Sequence, residues 1–126
     1  DDGSEEVSVW GSGSPIREWL YVEDAARSLL LASVAENPPE FFNVGSGEGI
    51  SISKLAHLIA RLAGFTGRIV FDSDFPDGAA EKRMEVDPVQ LELLGWNPTV
   101  SLKDGVARTI KDFRERLRPP GQPGRG

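Results

Sequence analysis

A small α/β or α+β domain is the fold class that this sequence predicts, and three observations carry it. Short β-branched or aromatic runs at 7–9, 17–22, 41–44 and 68–71 alternate with stretches whose apolar residues recur at helical spacing. Helix start and stop residues fall between them: Asn37-Pro-Pro39, Ser51, Gly64, Asp87-Pro88, Gly95 and Ser101. No segment repeats another. The order predicts a small mixed sheet with about four helices.

The elements follow in sequence. Residues 1–6 are acidic and polar and are expected to be a linker or disordered, and the abrupt strand at 7–9 reads as the opening of something that began earlier. After the strand at 17–22, a helix over 23–35 places Ala26, Leu29, Leu30 and Val34 on one expected buried face, with Asn37-Pro-Pro39 stopping it. Phe41-Phe-Asn-Val44 is a short strand expected to be buried. Ser51 caps a helix reaching Ala63, because Ile52, Leu55, Ala56, Ile59, Leu62 and Ala63 share a stripe and Gly64 ends it. Lys54 stands where a capping box wants glutamate.

A polar loop follows the strand at 68–71, then an extended piece near 83–86. Asp87-Pro88 opens a short helix that Leu94-Gly-Trp96 closes with a left-handed turn and a returning apolar residue. Ser101-Leu-Lys-Asp104 is a capping box for a last helix striped by Leu102, Val106, Ile110, Phe113 and Leu117. Residues 118–126, rich in proline and glycine, are expected to be disordered. Trp19, Phe41, Phe42, Trp96 and Phe113 are expected in the core.

Composition removes several classes of function. The chain has 126 residues, a net charge of −6 and one histidine, so no basic field draws nucleic acid or anionic lipid. With no cysteine there is neither a disulfide nor a thiol nucleophile. No apolar run has membrane length, and a cytoplasmic protein is the expectation. Tyr21 is the sole tyrosine and Ala25 stands four places on, so no Tyr-x-x-x-Lys pair exists. His57 has no evident triad partner and reads as an ordinary helix residue. Asp72, Asp74 and Asp77 lie in one loop without the calcium-loop pattern, so no metal site is expected.

What remains is binding. Trp10-Gly-Ser-Gly-Ser-Pro-Ile-Arg-Glu-Trp-Leu-Tyr-Val-Glu-Asp24 sets an indole, two loop glycines and one arginine ahead of a helix. An indole stacks on a flat ring, Gly11 and Gly13 allow close backbone approach, and Arg17 can hold phosphate bidentately. The plainer alternatives are Trp10 packed on the sheet, Arg17 paired with Glu18, and Asp77 as a turn former in Pro76-Asp-Gly78. Gly45-x-Gly47-x-Gly49 offers a rival, a dinucleotide-binding βαβ unit, but its spacing departs from G-x-G-x-x-G and the helix starts only at Ser51. Asn43, Gly45 and Gly47 read instead as shapers of the strand-to-helix turn.

Six motifs in order carry a resemblance: the stretch from Trp10 to Asp24, Phe42-Asn-Val-Gly-Ser-Gly47, Ser51-Ile-Ser-Lys-Leu55, Pro76-Asp-Gly78, Leu94-Gly-Trp96 and Ser101-Leu-Lys-Asp-Gly105. From about Val7 to Phe113 the chain resembles the carboxy-terminal part of the NAD(P)-dependent nucleotide-sugar epimerase/dehydratase family, the extended short-chain dehydrogenase/reductases, and most of all its GDP-L-fucose synthase branch. The resemblance implies a substrate-binding part that lacks the Rossmann cofactor half, is not catalytic alone, and binds no cofactor itself, with NAD(P) held by the parent enzyme. It implies Trp10 at the nucleotide base, Arg17 on the diphosphate of a nucleotide-diphosphate sugar (a GDP-sugar favoured), and Asp77 at the ribose or base. Phe75 stands where that branch usually carries lysine, and about two extra residues separate Asp77 from Asp87. The implied partner is an amino-terminal Rossmann part. The alternatives are a stand-alone nucleotide-sugar binder and a self-associating structural module.

Overall fold

A computed structural model describes residues 5–82, 91–92 and 94–117. Two small sheets and three helices make up its named elements: β1 (Glu6–Trp10), β2 (Ile16–Glu18), α1 (Val22–Val34), β3 (Gly49–Ser51), α2 (Ile52–Ala63), β4 (Arg68–Asp72), β5 (Glu81–Lys82) and α3 (Leu102–Arg116). β1 and β4 pair in parallel, with Val9 beside Phe71 and Trp10 beside Asp72. The second sheet runs β3-β2-β5, β2 antiparallel to β3 and parallel to β5. The mixed α/β character predicted from pattern is present.

Capping chemistry sets the helix ends as predicted. Ser51 accepts from Lys54 N–H and Ser101 from Asp104 N–H, each satisfying one orphan donor of the first turn. Gly64 adopts the left-handed conformation (φ 72°) and ends α2. Gly95 does the same (φ 68°), and Trp96 folds back to donate its N–H to Leu91 O at 3.0 Å. The Asp87-Pro88 start, the extended piece at 83–86, residues 1–4 and the tail at 118–126 lie outside the described residues. β1 begins at Glu6, inside the stretch expected to be a linker.

The main core forms where that turn meets α1. Leu91, Leu94 and Trp96 are buried, and Leu20, Leu31, Ala32, Ala35, Phe42 and Val44 pack on them. One carboxylate organises the contact. Asp24, 1% exposed, accepts from Arg27, from the backbone and hydroxyl of Thr99, and from Val100 N–H, while its own carbonyl accepts from the Trp96 indole at 2.8 Å. Burial alone would raise its pKa; the donors of Val100, Thr99 and Arg27 together outweigh that and bring it down to about 2. Gly105, buried in α3, lies against Tyr21, where a Cβ would come within 3.2 Å of the ring, so the sole tyrosine serves packing.

Several expectations are corrected. The face of α1 expected to be buried is exposed: Leu29 and Leu30 are each 69% and Val34 78% accessible, with Ala26 exposed too. The Asp24 bonds turn the opposite side inward, so Asp24 and Ser28 are buried and Leu31 meets the core. Residues 41–44 form no strand and pair with neither sheet; Phe42 and Val44 pack inward on the core and Phe41 is exposed. Trp19, Phe113 and Leu117 are likewise exposed, leaving Trp96 and Phe42 as the core aromatics of the expected set. β2 ends at Glu18 and α1 starts at Val22.

Candidate functional site

One glycine loop links Trp10, Arg17 and Asp77: Trp10 precedes it, Asp77 is hydrogen-bonded to its Ser12, and Arg17 bonds to Ala79 O two residues beyond Asp77. β1 delivers Trp10 at its last residue, opposite Asp72 at the last residue of β4. Gly11 (φ 92°) and Gly13 (φ 79°) then turn the chain away in a conformation that disfavours side chains. Space forbids them as well. A Cβ on Gly11 would lie 2.5 Å from Asp77 Oδ1, and one on Gly13 would lie 2.7 Å from the Phe71 ring.

Hydrogen bonds tie this loop to the polar loop after β4. Gly11 N–H donates to Asp72 O at 2.8 Å, and Ser12 donates twice to Asp77, from its N–H at 2.6 Å and from its hydroxyl at 2.7 Å. Ser14 N–H in turn donates to the Ser12 hydroxyl. Asp77 is therefore a clasp that holds the glycine loop. The two Ser12 bonds, with the Arg17 charge assisting, hold its carboxyl below the usual carboxylate range against some loss of hydration.

Arg17 lies in the central strand of the second sheet, between β3 and β5. Its Nη1 donates to Ile16 O at 2.8 Å and to Ala79 O at 3.1 Å, which fixes the guanidinium beside the Asp77 loop. A fixed guanidinium is a ready holder of phosphate, since little side-chain freedom remains to lose. Glu18, the expected alternative partner of Arg17, accepts at Oε1 from Gly47 N–H at 2.9 Å.

Trp10 is 72% exposed and does not pack into the sheet. Its ring stacks on Phe75, with centroids 4.3 Å apart and planes 6° from parallel. Sequence reasoning noticed Phe75 only as a departure from a motif, and no local pattern announces the stack. It arises from the turn in which Phe75 N–H donates to Asp72 O, bringing residue 75 back over the strand partner of Trp10.

The site offers an exposed aromatic ring, a fixed cation and a polar clasp, groups chemically suited to binding and orienting a ligand. The glycine run does not make a dinucleotide cradle. No strand forms at 41–44, β3 intervenes before α2, β3 pairs antiparallel with β2, and Gly47 N–H is engaged by a carboxylate. A βαβ unit needs a parallel strand running straight into the glycine turn. Among the described residues no group of three histidine, cysteine, aspartate or glutamate side chains is placed to hold a metal ion, and no helix is long and apolar enough to cross a membrane.

The NAD dependent epimerase/dehydratase family profile matches residues 2–45, the segment holding Trp10, the glycine loop and Arg17. Putative GDP-L-fucose synthase 2 of Arabidopsis thaliana is 41% identical over 116 residues, 92% of this chain and 35% of that protein. The chain is similar, over most of its length, to a segment of proteins of the NAD dependent epimerase/dehydratase family. Among solved structures, a GDP-L-fucose synthetase from Naegleria fowleri bound to NADP superposes with a TM-score of 0.79 at 29% identity, covering 88% of this chain and 35% of that one. UDP-glucose 4-epimerase of Thermotoga maritima, solved with UDP-glucose, gives 0.78 at 31% identity, covering 90% and 36%. The chain thus spans about a third of the length of the family members it matches.

Proposed function

We propose that this chain is the carboxy-terminal, nucleotide-sugar-binding part of an NAD(P)-dependent epimerase/reductase of the GDP-L-fucose synthase kind, acting in the cytoplasm. The observation that carries the reading is a glycine loop clasped by Asp77, with an exposed Trp10 ring at its start and an Arg17 guanidinium fixed on Ala79 O beside the clasp. In this reading the base stacks on Trp10, Arg17 holds the diphosphate, and Asp77 meets the ribose or base at the rim of its clasp. A GDP-sugar is the favoured ligand, since GDP-L-fucose synthases are among the relatives.

Chemistry on the sugar belongs to the other part of the parent enzyme. That part holds NAD(P) and supplies hydride transfer and proton shuttling; this chain binds no cofactor and contributes orientation through binding energy. Support for such a partner comes from α1. The helix carries a second apolar side, at Val22, Ala26, Leu29, Leu30 and Val34, yet it is the Asp24, Ser28 and Leu31 side that meets the core. Val22, Leu29, Leu30 and Val34, with Phe41 also exposed, remain for an amino-terminal Rossmann part to cover.

The test is an amide NMR titration of the chain with GDP, UDP and NADP⁺ in turn. The reading expects shifts centred on Trp10, Arg17 and Asp77 with one nucleoside diphosphate, and none at Gly45 to Gly49 with NADP⁺. A dispersed spectrum that no nucleotide perturbs would overturn binding by this chain itself.

A further inference from the structure

We infer that Phe75 is a positioning residue of the nucleotide site: it backs one face of the Trp10 indole and thereby sets the other as the single stacking face for a flat heteroaromatic base. The inference deepens the reading just given and rests on it.

The two rings lie nearly parallel, so each covers one face of the other. Trp10 is the more exposed of the two, 72% against 38% for Phe75, so the indole offers the larger surface to an incoming base. A base arriving from solvent therefore completes a three-layer stack in the order Phe75, Trp10, base. Insertion between the rings would break a formed contact, whereas addition to the outer face breaks none.

Phe75 is held in place from one residue. Asp72 O accepts from both Gly11 N–H (2.8 Å) and Phe75 N–H (3.3 Å), and Asp72 Oδ1 accepts from Asp74 N–H at 3.1 Å. The backbones on either side of the ring pair thus share one anchor. An indole at the end of a strand with nothing against it would sample several rotamers and lose that freedom on binding. Stacking on Phe75 removes the loss beforehand, which is how a residue that does not touch the ligand raises affinity.

The experiment compares the chain with Phe75→Leu, which keeps an apolar side chain but has no ring face. Two ligands are titrated, GDP and inorganic pyrophosphate, and order at the Trp10 indole is read by ¹⁵N relaxation without ligand. The inference expects GDP affinity to fall roughly 3- to 10-fold in Phe75→Leu, pyrophosphate affinity to stay unchanged, and Trp10 indole order to drop. Equal or tighter GDP binding by Phe75→Leu would overturn the inference and leave the nucleotide site standing. If the unaltered chain binds neither GDP nor pyrophosphate, the nucleotide-site reading fails and the inference fails with it.

Discussion

Asp24 and Asp77 each tie distant segments of this chain together, one from a buried and one from an exposed position. Asp24 is buried and meets donors from three residues, so its folded pKa of about 2 lies below the unfolded value near 4. A depressed carboxylate stabilises above its unfolded pKa and loses that contribution as pH falls through its folded one. The account predicts about 2 kcal/mol lost from Asp24 alone between roughly pH 4 and pH 2. Asp24→Asn should cost about 2–4 kcal/mol at neutral pH, because its amide group would face the Thr99 and Val100 donors. Urea unfolding checks this, and an unchanged midpoint would count against the burial of that network. Asp77 is exposed, and its carboxylate serves the loop through Ser12. At this scale the sequence was legible for local chemistry: Ser51, Gly64, Gly95 and Ser101 do what their residue types dictate. It was silent on Asp24, whose partners other than Arg27 lie more than seventy residues away, as the Thr99 and Val100 separations of 75 and 76 show.

Among the elements, α1 is the instructive case. Helical spacing found the helix but named its outer face as the buried one. Periodicity reports that a face is apolar, and α1 has more than one such face; only the Asp24 network decides which turns inward. Residues 41–44 likewise carry strand-forming residue types but join neither sheet, because a ladder depends on a partner that local sequence does not report. Energetics separate the two faces of the helix. Leu30→Lys should change stability by less than about 0.5 kcal/mol, whereas Leu91→Ala in the core should cost about 2–5 kcal/mol. Comparable losses from both substitutions in chemical denaturation would mean that α1 is oriented otherwise.

For the whole molecule, the described residues bury few large apolar side chains and expose many. Leu55, Leu91, Leu94 and Trp96 are buried, while twelve large hydrophobics are exposed. That balance supports the proposal that a further part covers the outer face of α1, and the chain spans about a third of the length of the relatives it matches. The candidate site was half legible at this scale. Trp10, the glycines and Arg17 are adjacent in sequence and chemically suggestive, so their grouping could be read directly. The Asp77 clasp and the Phe75 stack join residues 65 apart through turns, and no spacing rule reports such contacts. The most direct test of the central claim is the crystal structure of this chain with GDP. The account predicts the base on the open face of Trp10 and the diphosphate on Arg17; a nucleotide seated instead along Gly45 to Gly49, away from both residues, would contradict it.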